Sequence, residues 1–423
     1  MLLSKRLNTR FWNSDQLRIR RKLWLDIHLF LGLFAGAVLV VVAITGSIMV
    51  FYVELQELFN EKQIAVPVPP EGKGIRRSLD DIVAAAETTK PEGSRFFKAY
   101  YPRNEKVAYK LLYFVWDADN KTRELAKPSI RGDGYYIFVD PYTATVTGKQ
   151  LWHPKDGYLS RPIVSFLMQL HYSLLLGSTG AVLVGILGAI SIISLLTGLI
   201  LWWPLTGKFR QALTLKRDAS PVRLNFDIHK ITGIFSFVVL VPILFSGIYL
   251  VLPNEINVLT RLFSPVTRAN PYDGINASQY NSHLQVGLKP IGFSTAEAIV
   301  ERSTPSGVLK MFNPPTNDRG VYVIQKYEVV ENSRFVGRQT FVIDQYSGEI
   351  INIYNSGVGS AGDIFLDWQW YLHSGHAFGW TGRILVILAG IACAVLYVTG
   401  VIRWLQKRRA RAKQATRLAG ENP

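Results

Sequence analysis

The chain has 423 residues, 48% hydrophobic and 18% charged, with a net charge of +16 and one cysteine. That balance is too apolar for an ordinary soluble domain and too charged for a chain buried in lipid throughout, so it predicts membrane spans alternating with folded extramembrane segments. The lone Cys393 excludes intrachain disulfides, a thiolate metal cluster and a C-x-x-C-H attachment site.

In chain order, residues 1–23 form a basic tail with seven Lys/Arg against one acid. A span needs about 20 apolar residues, and Leu29–Val53 supplies the first, within a segment 24–53. Residues 54–160 read as a small α+β domain. Ser78-x-x-Asp81 looks like a capping box opening a helix over Asp80–Thr88, and Ala108–Trp116 and Tyr135–Val139 look like strands before an Asp140-Pro141 turn.

Residues 161–205 hold an interfacial helix and the second span, Ala181–Trp203. One straight helix from His171 to Trp203 would be about 48 Å long, against a hydrocarbon core of about 30 Å, so a bend at Gly177–Gly180 is expected. A basic loop, 206–226, leads to the third span, Ile231–Leu252, within 227–252. Residues 253–367 read as a second α+β domain, with Ser294-x-x-Glu297 before a helix over Thr295–Ser303, and strands Val321–Tyr327 and Gln339–Ile343. Residues 368–405 hold another interfacial helix, a bend at Gly379–Gly382 and the fourth span, Ile384–Trp404, and 406–423 form a basic tail.

Nearly all the charge sits in three places. Besides the N-tail, residues 204–228 carry five Lys/Arg against two acids, and 403–423 seven against one. With four spans all three fall on one side, which predicts cytoplasmic termini and outward-facing domains. This juxtamembrane placement accounts for the runs Arg18–Lys22 and Lys407–Lys413 without nucleic acid, which is excluded as a partner. The first span is too long for a signal-peptide core and is expected to remain as an anchor.

The chain repeats itself. Asp26-Ile27-His28 and Gly32 match Asp227-Ile228-His229 and Gly233 at an offset of 201 (229 − 28), and Thr45-Gly46 matches Ser246-Gly247. Leu170-His171 matches Leu372-His373 at an offset of 202 (373 − 171), and Thr197-Gly198 matches Thr399-Gly400. Two copies of a helix–domain–helix unit run parallel, so a pseudo-twofold axis is expected along the membrane normal.

That axis would set His28 opposite His229 at one depth and His171 opposite His373 at another. Facing imidazoles across a bundle suit axial ligation of a haem iron, and two axial ligands favour electron transfer over oxygen chemistry. Gly32, Gly36 and Gly233 fall four or eight residues after a histidine, on its helix face, where they would clear room for a flat ring. Arg20, Arg21, Arg223 and Lys230 lie near enough to balance inner propionates, and Arg383 outer ones. His376 has no counterpart, its matched position being Leu174. It is an alternative outer ligand, or half of an H-x-x-H zinc or copper pair. The plainer alternative is that all four histidines are amphipathic residues at a wet boundary, copied by duplication. His153 and His283 read as surface residues.

The twofold layout, the D-I-H-x-x-x-G span starts and the aspartate hairpins at Asp140 and Asp344 resemble the PepSY-associated transmembrane proteins, over roughly residues 20–405. The resemblance implies an integral α-helical membrane protein with four spans as a parallel tandem repeat and two small α+β PepSY-like extracytoplasmic domains. It also implies two b-type haems on His28, His229, His171 and His373, a bacterial inner-membrane location, and reduction of a ferric siderophore in the periplasm. Tyr100, Tyr101, Arg103, Trp368 and Trp370 are candidate pocket residues for the chelate. No nucleotide motif is present, so electrons would come from membrane quinol or a separate reductase. PepSY domains also act as regulatory modules, which leaves a non-catalytic membrane protein binding a periplasmic partner as the alternative. A transporter fits less well, because the spans lack acidic coupling residues.

Overall fold

The computed structural model describes residues 14–70, 74–116, 132–154, 162–204, 209–216, 218–267, 277–283, 287–328 and 337–420. The chain opens with α1 (Ser14–Met49), α2 (Tyr52–Phe59), α3 (Glu61–Ile64) and α4 (Leu79–Glu87). Strands β1 (Ser94–Tyr100), β2 (Tyr109–Trp116), β3 (Gly132–Val139) and β4 (Val146–His153) follow, then α5 (Ile163–Ser173), α6 (Gly177–Trp202) and α7 (Phe209–Ala212). The rest comprises α8 (Pro221–Val251), α9 (Pro253–Arg261), α10 (Phe293–Ser303), β5 (Val308–Asn313), β6 (Val321–Tyr327), β7 (Gln339–Asp344), β8 (Ile350–Asn355), α11 (Ala361–Ser374) and α12 (Gly379–Gly420).

These elements fall into two units. The first takes residues 1–50, 181–251 and 372–423. It contains four helices long and apolar enough to cross a membrane, over Arg21–Met49, Gly177–Trp202, Pro221–Val251 and His376–Thr416. The first ends at Met49, four residues short of the apolar run, because the chain turns before α2. Leu240, Ala389 and Cys393 form the buried centre with Leu39, Ala43, Leu195 and Leu396 around it. Small residues set the helix spacing: Gly390 lies against Ala43 and Ser47, and Gly188 against Ile248. Dispersion across such close contacts carries the packing where lipid gives no hydrophobic drive.

The second unit takes residues 51–180 and 252–371. Among the described residues, eight strands form one antiparallel sheet in the order β4-β3-β2-β1-β5-β6-β7-β8. The two sequence-predicted domains therefore share a sheet, joined where Ala99 pairs with Phe312 and Tyr100 with Met311. Helices α4 and α10 cover one face, burying Leu79, Ile82, Ala86, Ala296 and Val300 against Leu111, Ile137, Ile324 and Phe341. Each such side chain contributes roughly 1.5–3 kcal/mol on burial.

The two predicted helix starts differ in outcome. Ser78 caps α4 as expected, accepting from Asp81 N–H at 3.1 Å. Ser294, however, lies inside α10, whose cap residue is Gly292. Asp80 of α4 takes over there: its carboxylate accepts from Phe293 N–H (2.9 Å) and Ser294 N–H (3.0 Å), while Ser294 Oγ accepts from Asp80 N–H at 3.3 Å. Both aspartate hairpins form, Asp140 accepting from Tyr142 and Thr143 N–H and Asp344 from Tyr346 and Ser347 N–H. Each closes on a left-handed residue, Ala144 (φ 53°) or Gly348 (φ 74°).

The helices break at both glycine pairs. Leu174 and Leu175 take positive φ between α5 and α6, and Gly375 does so after α11. A Cβ at Gly180 would meet the Ser173 carbonyl, and one at Gly382 the Gly375 carbonyl. Glycine is what lets the chain turn back on itself there.

Candidate functional site

Four helices of the first unit bring His28 and His229 together. Their ring centres are 6.1 Å apart, with planes inclined at 77°. An imidazole nitrogen binds a transition metal at about 2 Å, which puts the ring centre about 3 Å from the ion, so two rings sharing one ion stand about 6 Å apart.

Each ring is held from behind. His28 Nδ1 lies 2.9 Å from the Ser194 carbonyl oxygen and 3.1 Å from Thr197 Oγ1, both on α6. A carbonyl can only accept, so Nδ1 carries a proton, which in the neutral ring leaves Nε2 its lone pair. His229 Nδ1 lies 2.9 Å from Thr399 Oγ1 on α12. That hydroxyl donates its own proton to the Val395 carbonyl (2.6 Å), which makes it an acceptor towards the ring and fixes the same tautomer. Neutral imidazole with a free Nε2 is the form that binds metal.

The residue after each threonine admits the ring. A Cβ at Gly198 would lie 3.0 Å from His28 Cε1, and one at Gly400 3.6 Å from His229 Cε1. The glycines expected for this task face helix neighbours instead. Gly36 abuts Tyr397 and Gly233 lies 3.6 Å from Leu396, while the nearest atom to Gly32 is Ser194 Oγ at 4.0 Å. The paired residues were visible in the sequence as Thr197-Gly198 and Thr399-Gly400, matched across the copies, but only as markers of the repeat.

His373, in the last turn of α11, is held in the same manner by α8. Its Nδ1 lies 3.1 Å from the Ile243 carbonyl and 3.2 Å from Ser246 Oγ, and a Cβ at Gly247 would lie 3.0 Å from its Cε1. His376 is exposed. His171 lies half-buried on α5 in the other unit. Among the described residues no group of three or more His, Cys, Asp or Glu side chains converges on one point.

The candidate charge partners are engaged with protein groups. Arg223 Nε and Lys230 Nζ each donate to the fully buried Asp227 carboxylate at 3.1 Å. Arg21 donates to the Leu201 carbonyl at 3.0 Å. Arg383 donates to the Val50 carbonyl at 2.9 Å and lies 4.7 Å from the Trp380 ring centre. Arg20 belongs to α1.

Two of the candidate chelate residues, Tyr100 and Tyr101, lie on opposite faces of the sheet. Tyr101 is buried under the helices with its hydroxyl donating to Glu297 at 2.5 Å. Tyr100 packs on the other face of the sheet, where Lys110 stands 4.7 Å from its ring centre. Arg103 pairs with Glu57, and Trp370 is exposed. His153 Nδ1 accepts from Gln169 Nε2 at 3.0 Å, whereas His283 is exposed.

No curated protein matches the chain. The PepSY-associated TM region matches residues 25–407, nearly its whole length, and the chain belongs to that family.

Proposed function

We propose that this protein is a di-haem, b-type electron-transfer protein of the bacterial inner membrane, with cytoplasmic termini, that reduces a ferric siderophore in the periplasm. The two copies of the helix–domain–helix unit are read as a tandem duplication that supplies one histidine of each ligand pair. The observation that carries the reading is the His28–His229 pair, with ring centres 6.1 Å apart inside a bundle. His171 and His373 are proposed as the second pair from the matched positions in the sequence, with the backing of His373 by Ser246 as support.

The residues present fit a haem with two axial imidazoles. Each ring is backed by a partner at Nδ1, an arrangement that leaves the Nε2 lone pair of a neutral imidazole free to bind metal. When bound, such a group supplies one-electron transfer without an open position for oxygen. The protein's share is to hold the two rings in place and to keep water from them. Electrons entering from quinol or a separate reductase would leave to a ferric chelate, and Fe(II) is released because its lower charge binds anionic oxygen ligands less well.

The test is the absorbance of detergent-purified protein before and after dithionite. The reading expects a six-coordinate haem spectrum, with about half the pigment lost in His28→Ala and in His229→Ala. A folded, colourless wild-type preparation would overturn it and leave a non-catalytic membrane protein that binds a periplasmic partner.

A further inference from the structure

The three described histidines of the first unit that are held at Nδ1 share one device. Each Nδ1 meets a Ser or Thr hydroxyl that is followed in sequence by glycine: Thr197-Gly198 for His28, Thr399-Gly400 for His229, and Ser246-Gly247 for His373. Each hydroxyl spends its own proton on a carbonyl three or four residues back on its helix, Ser194 (2.7 Å), Val395 (2.6 Å) and Ile243 (2.9 Å) respectively. The hydroxyl is thereby an obligate acceptor towards the ring. In the second copy the exchange is reciprocal, since α12 holds the histidine of α8 and α8 holds the histidine of α11.

We infer that Thr197, Thr399 and Ser246, each with its following glycine, are positioning residues that fix the tautomer of the facing histidine and tune the electron density it offers to a bound metal. An acceptor at Nδ1–H lends the ring imidazolate character, which strengthens Nε2 as a donor and favours the oxidised ion. Removing the acceptor weakens the donor and favours the reduced ion.

The contacts are unequal. His28 has a backbone carbonyl at 2.9 Å as well as Thr197, and a side-chain substitution leaves that carbonyl in place. His229 has Thr399 Oγ1 at 2.9 Å as its side-chain partner, with the Leu396 carbonyl as a backbone partner. The hydroxyl contact is the shorter at His229, 2.9 Å against 3.1 Å at His28, so Thr399 is the more sensitive position. Thr45 is matched to Ser246 and likewise donates to carbonyls behind it, those of Val41 (2.8 Å) and Val42 (3.0 Å).

The effect on a metal rests on the haem reading, whereas the effect on the tautomer does not. The experiment takes full-length protein in detergent, as isolated and after dithionite, labelled with 15N-histidine. Wild type should show a protonated, slowly exchanging Nδ1 for His229. Thr399→Val should shift or broaden that resonance and speed its exchange at least tenfold, Thr197→Val should change His28 less, and Thr399→Ser should restore the wild-type signal. Unchanged exchange in Thr399→Val, in protein with wild-type circular dichroism, overturns the positioning role.

The second readout is the reduction midpoint of any bound haem. Thr399→Val should move the reduced-to-oxidised ratio at fixed potential towards the reduced form by up to about tenfold, equal to about 59 mV for a one-electron couple, with Thr399→Ser near wild type. A midpoint that stays put while the tautomer signal changes overturns the tuning role. A colourless wild type removes the haem reading, yet the exchange measurement still decides whether the hydroxyls position the rings.

Discussion

Gly198 on α6 lies against the imidazole of His28, so closely that a Cβ there would stand 3.0 Å from Cε1. Nine in ten real contacts are looser than that, and the ring is already fixed from behind by Ser194 and Thr197. A branched side chain at this position must push the ring towards His229 or break its hydrogen bonds. Gly198→Val should therefore lose most of the pigment assigned to the inner pair, while the membrane fraction still contains the protein. Gly400 has more room, 3.6 Å, so Gly400→Ala should retain more pigment than Gly198→Ala. Pigment-to-protein ratios across these variants check the order, and equal retention would remove the steric argument.

The structure also separates two histidines that the sequence leaves as rivals. His373 is backed by Ser246 and the Ile243 carbonyl, whereas His376 is exposed. Second-sphere partners typically carry 10- to 100-fold in metal affinity. On the proposed di-haem reading, His373→Ala should abolish one of two spectroscopically distinct haems, and His376→Ala should keep both. Loss of a haem in His376→Ala alone would reverse the assignment.

What could be read from the sequence follows from burial. Strands β6 and β7 are inaccessible almost throughout and each carries a short apolar run, Val321–Ile324 and Phe341–Ile343, as do β2 at Leu111–Val115 and β3 at Tyr135–Val139. Strand β4, with Gly148 in its middle, is half-exposed at the sheet edge and carries no such run, and β8 is alike. Strands β1 and β5 sit at the centre but each carries a register shift, and their mutual pairing joins residues more than two hundred positions apart. No local pattern announces a contact of that kind. The histidine pair was legible because the matched Asp-Ile-His motifs at His28 and His229 mark it. The hydroxyls behind it were not, since His28 and Thr197 meet across 169 residues and a Thr-Gly dipeptide in a span reads as ordinary helix packing.

Ser294 gives the same lesson at a helix end. A local capping pattern suggested that it opens α10, yet the partner of the first two N–H groups is Asp80, from 213 and 214 residues earlier. Loss of an N-cap side chain costs about 0.5–2 kcal/mol. Asp80→Ala should therefore lower the apparent unfolding temperature of the second unit by several degrees, and Asp80→Asn, which keeps an acceptor, by less. Ser78→Ala should show a comparable loss through α4. If Asp80→Ala melts like wild type while Ser78→Ala does not, the cross-copy cap contributes nothing to stability.

Glu297 supplies a pH dependence. Burial is the main cause that pushes its carboxyl up to about 7 from 4.5; the Tyr101 hydroxyl opposes the shift, and Asp80 and Glu301 add to it. The folded chain thus holds a proton that the unfolded chain has released between about pH 4.5 and 7. Folding stability contributed by this group is present below the unfolded value and falls as pH rises through that window, by on the order of 3 kcal/mol at most. Glu297→Gln cannot ionise, yet it keeps an oxygen to accept from Tyr101. Its unfolding temperature should fall less between pH 5 and 8 than that of wild type, and should exceed wild type above pH 7. Thermal unfolding of both proteins across that range is the measurement, and parallel curves would show that Glu297 titrates alike in the folded and unfolded chains.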